Sequence, residues 1–314
     1  MIRVGTRGSL LATTQAGVVR DALRSLGEEA ELVIVSTIGD KIGGPIVEIG
    51  VGVFTSALRD ALLAGEIDVA VHSLKDLPTA QDPRFALVAV PERADPRDVL
   101  VSRSGLPLTQ LPPGASVGTG APRRTAQLRL ARADLEIQPI RGNLDSRMRK
   151  VATAECDAIV VARAGLLRLG RAQEATEVLD PAVMLPAPGQ GALAVECRAD
   201  AAASLVEVLA KLDHEHSRVT SAAERAVLAD LNAGCSGPVG ALARIDAQTL
   251  RVQAAVCAIV GSHAIRAEAE AHVVSEDHAA ALGRRVAESL RSMGAMELVG
   301  AVQGEPRPVV TGES

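Results

Sequence analysis

Short apolar runs alternate with helical patterns along this chain, and the alternation happens twice, with proline-bearing stretches on either side of the second run. "IRVG" reads as a first strand, Ser9 caps a helix running to about Ser25, and Gly27 closes it. A second strand "ELVIVST" (31–37) precedes "FTSALRDALLAG" (54–65), whose apolar positions 54, 57, 58, 61 and 62 share one helical face. "DVAVHS" (68–73) and "FALVAV" (85–90) are further strands. The charged, proline-rich "PERADPRD" (91–98) then interrupts the pattern, which restarts with "ASVGT", a helix from Pro122, "LEIQPI", a helix from Asn143 and "DAIVVA" (157–162). After a second irregular stretch, "PAVMLPAPGQG" (181–191), the strand "ALAVEC" follows. Strand–helix alternation predicts βαβ units and mostly parallel sheets. Two crossings around a middle segment predict a chain that leaves its first lobe and later returns to it.

The expected fold is therefore α/β, with two doubly wound lobes, the first from residues 1–92 together with 192–212 and the second from 95–189. Beyond residue 213 the pattern changes to a helix (217–231), the strand-like "LRVQAAVCAIV", the alternating "IRAEAEAHVV" and a helix (276–293). These predict a smaller α+β C-terminal domain over 214–314, ending in a loose tail. In doubly wound sheets ligands bind at the carboxyl ends of the strands, here the crevice between lobes.

Composition narrows what that crevice holds. The only aromatic residues are Phe54 and Phe85, so the core is aliphatic and no base-stacking platform exists. A net charge of −5 also argues against nucleic acid. No apolar run is long enough for a bilayer, and "MIRVGTRGSLLATTQ" has no signal-peptide core, so the expected location is the cytoplasm. The four cysteines form no CxxC pair, and "HEH" (214–216) lacks the spacing of a zinc motif, so no metal is expected. Cys156, Cys197 and Cys257 lie in apolar runs and read as core residues.

Against this acidic background, eight of the residues between 117 and 150 are basic, opposed by Asp134, Glu136 and Asp145. Arg123 and Arg124 follow Pro122 into a first helical turn, Arg141 stands at a strand end, and Arg147 enters the next helix. Cations at a helix N-terminus oppose the dipole unless an anion sits there, and several guanidinium forks point to a ligand with several acidic groups. "GTRGS" repeats the device with Arg7 and Ser9. In "AVHSLKDLP" (70–78) an apolar strand runs into Ser73, Lys75 and Asp76, where α/β enzymes put their chemistry. A carboxylate there can hold a proton or stabilise a developing cation. Solvated surface explains each of these residues singly, but explains the set less well. Cys235, flanked by Gly234, Ser236, Gly237 and Pro238, is an exposed loop thiol with room for a bulky group, which points to covalent attachment.

Taken in order, "GTRGS", "DVAVHSLKDLPT", "DPRD", "SVGTGAPRRTAQL", "PIRGNLDSR", "DAIVVARAGLLRLG", "LPAPGQGALAVECR" and "AERAVLADLNAGCSGPVGA" resemble the porphobilinogen deaminase family over nearly the whole chain. The resemblance implies two lobes like those of periplasmic binding proteins and a third domain. It implies a dipyrromethane cofactor on Cys235 through a thioether, to which four porphobilinogen molecules add head to tail with loss of ammonia. Release of a linear tetrapyrrole by hydrolysis follows. By the same resemblance Asp76 is catalytic, and Arg7, Ser9, Ser73, Lys75, Thr119, Arg123, Arg124, Arg141, Arg147, Arg168 and Gln190 hold cofactor and substrate. The expected partner is porphobilinogen alone, without nucleic acid or membrane, and the expected state is a monomer. Where relatives often have serines, Gly120 and Ala121 precede the paired arginines, and the segment 45–54 carries Glu48 and no lysine. The alternative is a non-enzymatic bilobal binding protein for a small polyanion, which leaves Cys235 and the third domain without a purpose.

Overall fold

The computed structural model describes residues 1–35, 53–234, 237–247, 249–272 and 275–304. Of the lysine-free segment 45–54, residues 45–52, Glu48 among them, lie outside the described residues, as does the tail 305–314.

The first lobe is built from β1 (Ile2–Thr6), α1 (Leu10–Ser25), β2 (Ala30–Ile34), α2 (Val53–Leu63), β3 (Val69–Ser73) and β4 (Phe85–Ala89). The second holds β5 (Asp98–Ser102), β6 (Ser116–Gly118), α3 (Pro122–Ala131), β7 (Glu136–Gln138), α4 (Leu144–Ala152), β8 (Ala158–Ala162), α5 (Arg163–Arg168) and β9 (Glu177–Val178). The chain then re-enters the first lobe as β10 (Leu193–Arg198), followed by α6 (Ala203–Ala210).

The two five-stranded sheets have matching orders, β2-β1-β3-β10-β4 and β7-β6-β8-β5-β9. Each is parallel except for one strand, β10 or β5, which runs antiparallel to both neighbours. Sequence periodicity predicts mostly parallel sheets and does not predict these reversals. They arise because each reversed strand is the first to enter its sheet after a crossing, and so starts at the end where the parallel strands finish. The crossings press together, with Ala94 N–H donating to the Gly191 carbonyl at 3.3 Å. Gly191 has φ +90°, and a Cβ there would stand 2.4 Å from the Ala94 oxygen, so only glycine fits.

Helix α1 starts at Ser9, whose Oγ accepts the Ala12 N–H at 3.3 Å, and it buries Ala16, Val19 and Leu23 against the sheet. Such a cap contributes about 1 kcal/mol. The near-continuous burial of Val69, Ala70 and Val71 in β3 and of Ala158 to Val161 in β8 is what central strands covered on both faces require. Cys156, Cys197 and Cys257 are buried, as their apolar settings predict.

The third unit is an antiparallel sheet of β11 (Val239–Asp246), β12 (Thr249–Cys257) and β13 (Ala264–His272), covered by α7 (Glu215–Asp230), α8 (Glu276–Ser292) and α9 (Ala295–Gly304). In β13 Ala267, Ala269 and Ala271 face this core, while Glu268 and Glu270 meet Gln253 and Arg251 on the outer face. That is the period-2 signature visible in "IRAEAEAHVV".

Candidate active site

The cleft lies between the carboxyl ends of the parallel strands. On the first lobe, Arg7 follows β1 and Ser9 opens α1. Strand β3 ends at Ser73, whose hydroxyl bonds the Gln15 amide at 3.1 Å, and a 3₁₀ turn over Leu74–Asp76 follows. The turn is pinned to the returning chain by Leu74 N–H on the Ala192 carbonyl at 3.0 Å, and leaves Asp76 exposed at its end.

On the second lobe the paired arginines do not project as open forks. Both are buried and converge on Asp98, at 2.8 Å from Arg123 and 2.7 Å from Arg124. Arg123 also donates to the Leu185 carbonyl. The Gln190 amide nitrogen donates to the same carboxylate at 2.9 Å, while its oxygen accepts from Lys75 at 3.3 Å. Burial alone raises the Asp98 pKa, but the two guanidiniums outweigh it and hold it at about 2. The local anion at this helix start is thus supplied by the chain itself, and Asp98 leaves less than the full charge of two arginines for a ligand. Burial correspondingly lowers Arg123.

Gly120 explains one missing hydroxyl: a Cβ there would stand 2.5 Å from the Ile140 carbonyl oxygen, so a serine does not fit this backbone. Thr119 is buried, its hydroxyl accepts the Ala121 N–H at 3.3 Å, and it shapes the loop behind the cleft wall. Arg141 is exposed in the loop before α4 and stands outside the cavities described next. Arg147 reaches inward, held by Nε on the Gly142 carbonyl at 2.9 Å, and Arg168 donates to the Gly191 carbonyl at 2.6 Å.

Two adjoining cavities result. The first, of about 250 Å³, meets Arg7, Ser9, Ser73, Arg168 and Gln15. The second, of about 210 Å³, meets Arg123 and extends to Gly234 and Gly237. Lys75, Asp76, Arg124, Arg147 and Gln190 border both. Cys235 and Ser236 lie outside the described residues. Desolvation lowers Lys75 to about 8 and Arg168 to about 10, and it lowers Arg147 too, with Arg124 adding repulsion on Lys75 and Arg147. A cleft of that kind fits a group with several carboxylates, and Asp76 is the lone acidic side chain bordering the two cavities among the described residues.

Sequence reasoning missed Gln15 and Asp98. Gln15 faces the cleft one turn into a helix and carries no local signal. Asp98 had one: it ends the acidic, proline-rich "DPRD" immediately before an apolar run, the start of a buried strand.

The family described as "Porphobilinogen deaminase, dipyromethane cofactor binding domain" matches residues 2–205, and its "C-terminal domain" matches 219–292. The chain belongs to the porphobilinogen deaminase family. A porphobilinogen deaminase from Mycolicibacterium paratuberculosis is 54% identical over 315 residues, covering 98% of this chain and 99% of the relative. One from Nocardia farcinica is 56% identical, covering 95% and 88%. Among solved structures, a periplasmic substrate-binding protein of an ABC transporter from Coxiella burnetii covers 72% of this chain and 97% of its own, at 16% identity and a TM-score of 0.43. Membership makes this chain an enzyme, a transferase of porphyrin biosynthesis that uses a dipyrromethane cofactor. The cationic cleft suits that cofactor, since each pyrrole of this family's substrate carries two carboxylates.

Proposed function

We propose that this chain condenses four porphobilinogen molecules head to tail, with loss of ammonia, at Asp76, on a dipyrromethane group attached to Cys235, and then releases the linear tetrapyrrole by hydrolysis. The observation that carries the reading is the position of Asp76 where the two cavities meet, the second of them reaching the glycines on either side of the Cys235–Ser236 step. When bound, the dipyrromethane group supplies the pyrrole carbon to which substrate adds. The chain's own residues do the rest. Arg7, Lys75, Arg147 and Arg168 take the acetate and propionate groups through charge-assisted bonds, and Arg124, held by Asp98, adds its positive charge where the two cavities meet. Arg123 and Gln190 work beside them, with Ser9 and Ser73 adding hydroxyls on the first-lobe wall. Thr119 acts through the loop it shapes, and Arg141 meets the growing chain at the cleft's outer edge. Asp76 accepts pyrrole N–H groups and stabilises the positive charge that develops on the substrate as ammonia leaves. The enzyme works as a monomer in the cytoplasm, on porphobilinogen alone.

Denaturing mass spectrometry of the intact chain tests this reading. The expected mass is that of the polypeptide plus a dipyrrole, and Cys235→Ser should return the bare polypeptide mass with no condensation activity. An unmodified wild-type chain that still makes tetrapyrrole, or an adduct that survives in Cys235→Ser, overturns it.

A further inference from the structure

Two consecutive residues of α7, in the C-terminal domain, grip segments of the other two lobes that support the cleft. Glu224 is fully buried, accepts both arms of Arg93 at 2.8 Å and takes the Gly189 N–H at 2.7 Å, next to Gln190. Arg225 does something the chemistry described so far does not use. Its guanidinium donates to three main-chain carbonyls of one turn: Leu74 at 3.0 Å, Leu77 at 2.8 Å and Pro78 at 2.7 Å. Leu74 opens the 3₁₀ segment that ends in Asp76, and Leu77 and Pro78 follow it directly. A 3₁₀ turn of three residues has a single internal bond, here Leu77 N–H to the Leu74 carbonyl at 3.2 Å, and little intrinsic stability. Its carbonyl end carries partial negative charge, and a planar cation bridging three of those oxygens fixes both ends of the Asp76 backbone at once.

We propose that Arg225 is a positioning residue for Asp76, a clamp by which the C-terminal domain sets the carboxylate's place in the cleft. The role rests on the catalytic reading of Asp76. It also has a geometric consequence, because α7 leads through Leu231 to Gly234 and so to the Cys235 loop. One helix thereby carries the clamp on the Asp76 turn and leads to the approach to the attachment loop.

The test uses Arg225→Gln and Arg225→Lys. The glutamine keeps a polar side chain without the fork. The lysine keeps the charge and the stem, but one ammonium does not span three carbonyls, and it carries the test if the glutamine variant folds poorly. In the chain without cofactor, hydrogen exchange at the Leu77 amide should speed up roughly tenfold or more, while amides of α7 and α8 keep their wild-type protection. In the cofactor-loaded enzyme, single-turnover condensation should slow by about ten- to a hundredfold, the scale of a small misplacement of a reacting group. On an Asp76→Asn background the same substitution should add little, since both act through one carboxylate. Unchanged exchange at Leu77, a wild-type rate, or slowing that multiplies with that of Asp76→Asn overturns the clamp. An Asp76→Asn enzyme that condenses at the wild-type rate overturns the catalytic reading instead, and the exchange measurement still judges the clamp.

Discussion

The two lobes share a sheet plan, and each has a buried carboxylate on its one reversed strand, gripped by arginine. In the first lobe Glu196 is the fourth residue of β10, paired across the sheet with Ala70 and Leu87, and it takes Arg59 at 2.7 Å and faces His72 at 3.3 Å. In the second lobe Asp98 is the first residue of β5, opposite Ala162, the last of β8. Three residues along a reversed strand separate two outcomes. At mid-strand the pair lies beneath α2, with Glu196 buried and Arg59 partly exposed, and joins helix to sheet. At the strand's start it sits at the rim where all the parallel strands end, and the same interaction orients two arginines and a glutamine that border a ligand cavity. A buried ion pair is by itself weak testimony for function. Its position relative to the carboxyl ends of the parallel strands decides.

The largest effect should come from Asp98→Asn. It leaves Arg123 and Arg124 buried without their counter-charge, a loss of about 3–5 kcal/mol for a broken buried pair. Thermal denaturation should show a large drop in Tm, and mass spectrometry should find little dipyrrole adduct on the folded fraction. Glu196→Gln should cost less, about 1–3 kcal/mol, because Arg59 is partly exposed and water takes over its donors. Its rate per loaded, folded molecule should match wild type. If it slowed condensation as much as Asp98→Asn, the distinction between rim and mid-strand would be lost.

The smallest effect is one of pH, and it contrasts the cleft's cation with its buried anion. Lys75 has a folded pKa depressed by desolvation to about 8, below the ordinary ~10.4. Its charge therefore opposes folding below about pH 8, an opposition that fades as pH rises toward the unfolded value. Raising the pH from about 7 to about 9 should neutralise it, weakening porphobilinogen binding several-fold without loss of Tm from this group. In Lys75→Met that step in KM should vanish; if it persists, another cation titrates there. Asp98 has the opposite sign. Its depressed pKa gives stability that is complete above the ordinary carboxylate value of ~3.9 and is lost as pH falls toward 2, far from that window.

Local signals were legible wherever the chain writes its own boundary. Ser9 caps α1 as expected and the helix expected from Asn143 begins there, while α7 starts at Glu215, two residues before the start that its pattern predicts. The two-lobe plan followed from the restart of the strand–helix alternation after residue 98. Strand reversal was not legible, since direction is set by where a crossing delivers the chain and leaves no mark on hydropathy. Nor were the Asp98 pairings or the Arg225 clamp. Asp98 reads as linker charge and Arg225 as one residue of "AERAVL", and their partners lie up to 151 positions away.

The threading of β10 has a consequence for how the protein comes into being. Strands β3 and β4 are not neighbours; β10 stands between them, and it is made about a hundred residues after β4. As the chain emerges from the ribosome, the N-terminal lobe therefore waits with two open strand edges. The second lobe, continuous in sequence, has all five of its strands by residue 178. The later-made lobe can close first, and the earlier one is completed by a strand that the later one delivers. Open edges held for that interval are templates for wrong pairing. A long-range central strand also slows folding, because the loop must close before any of its contacts form.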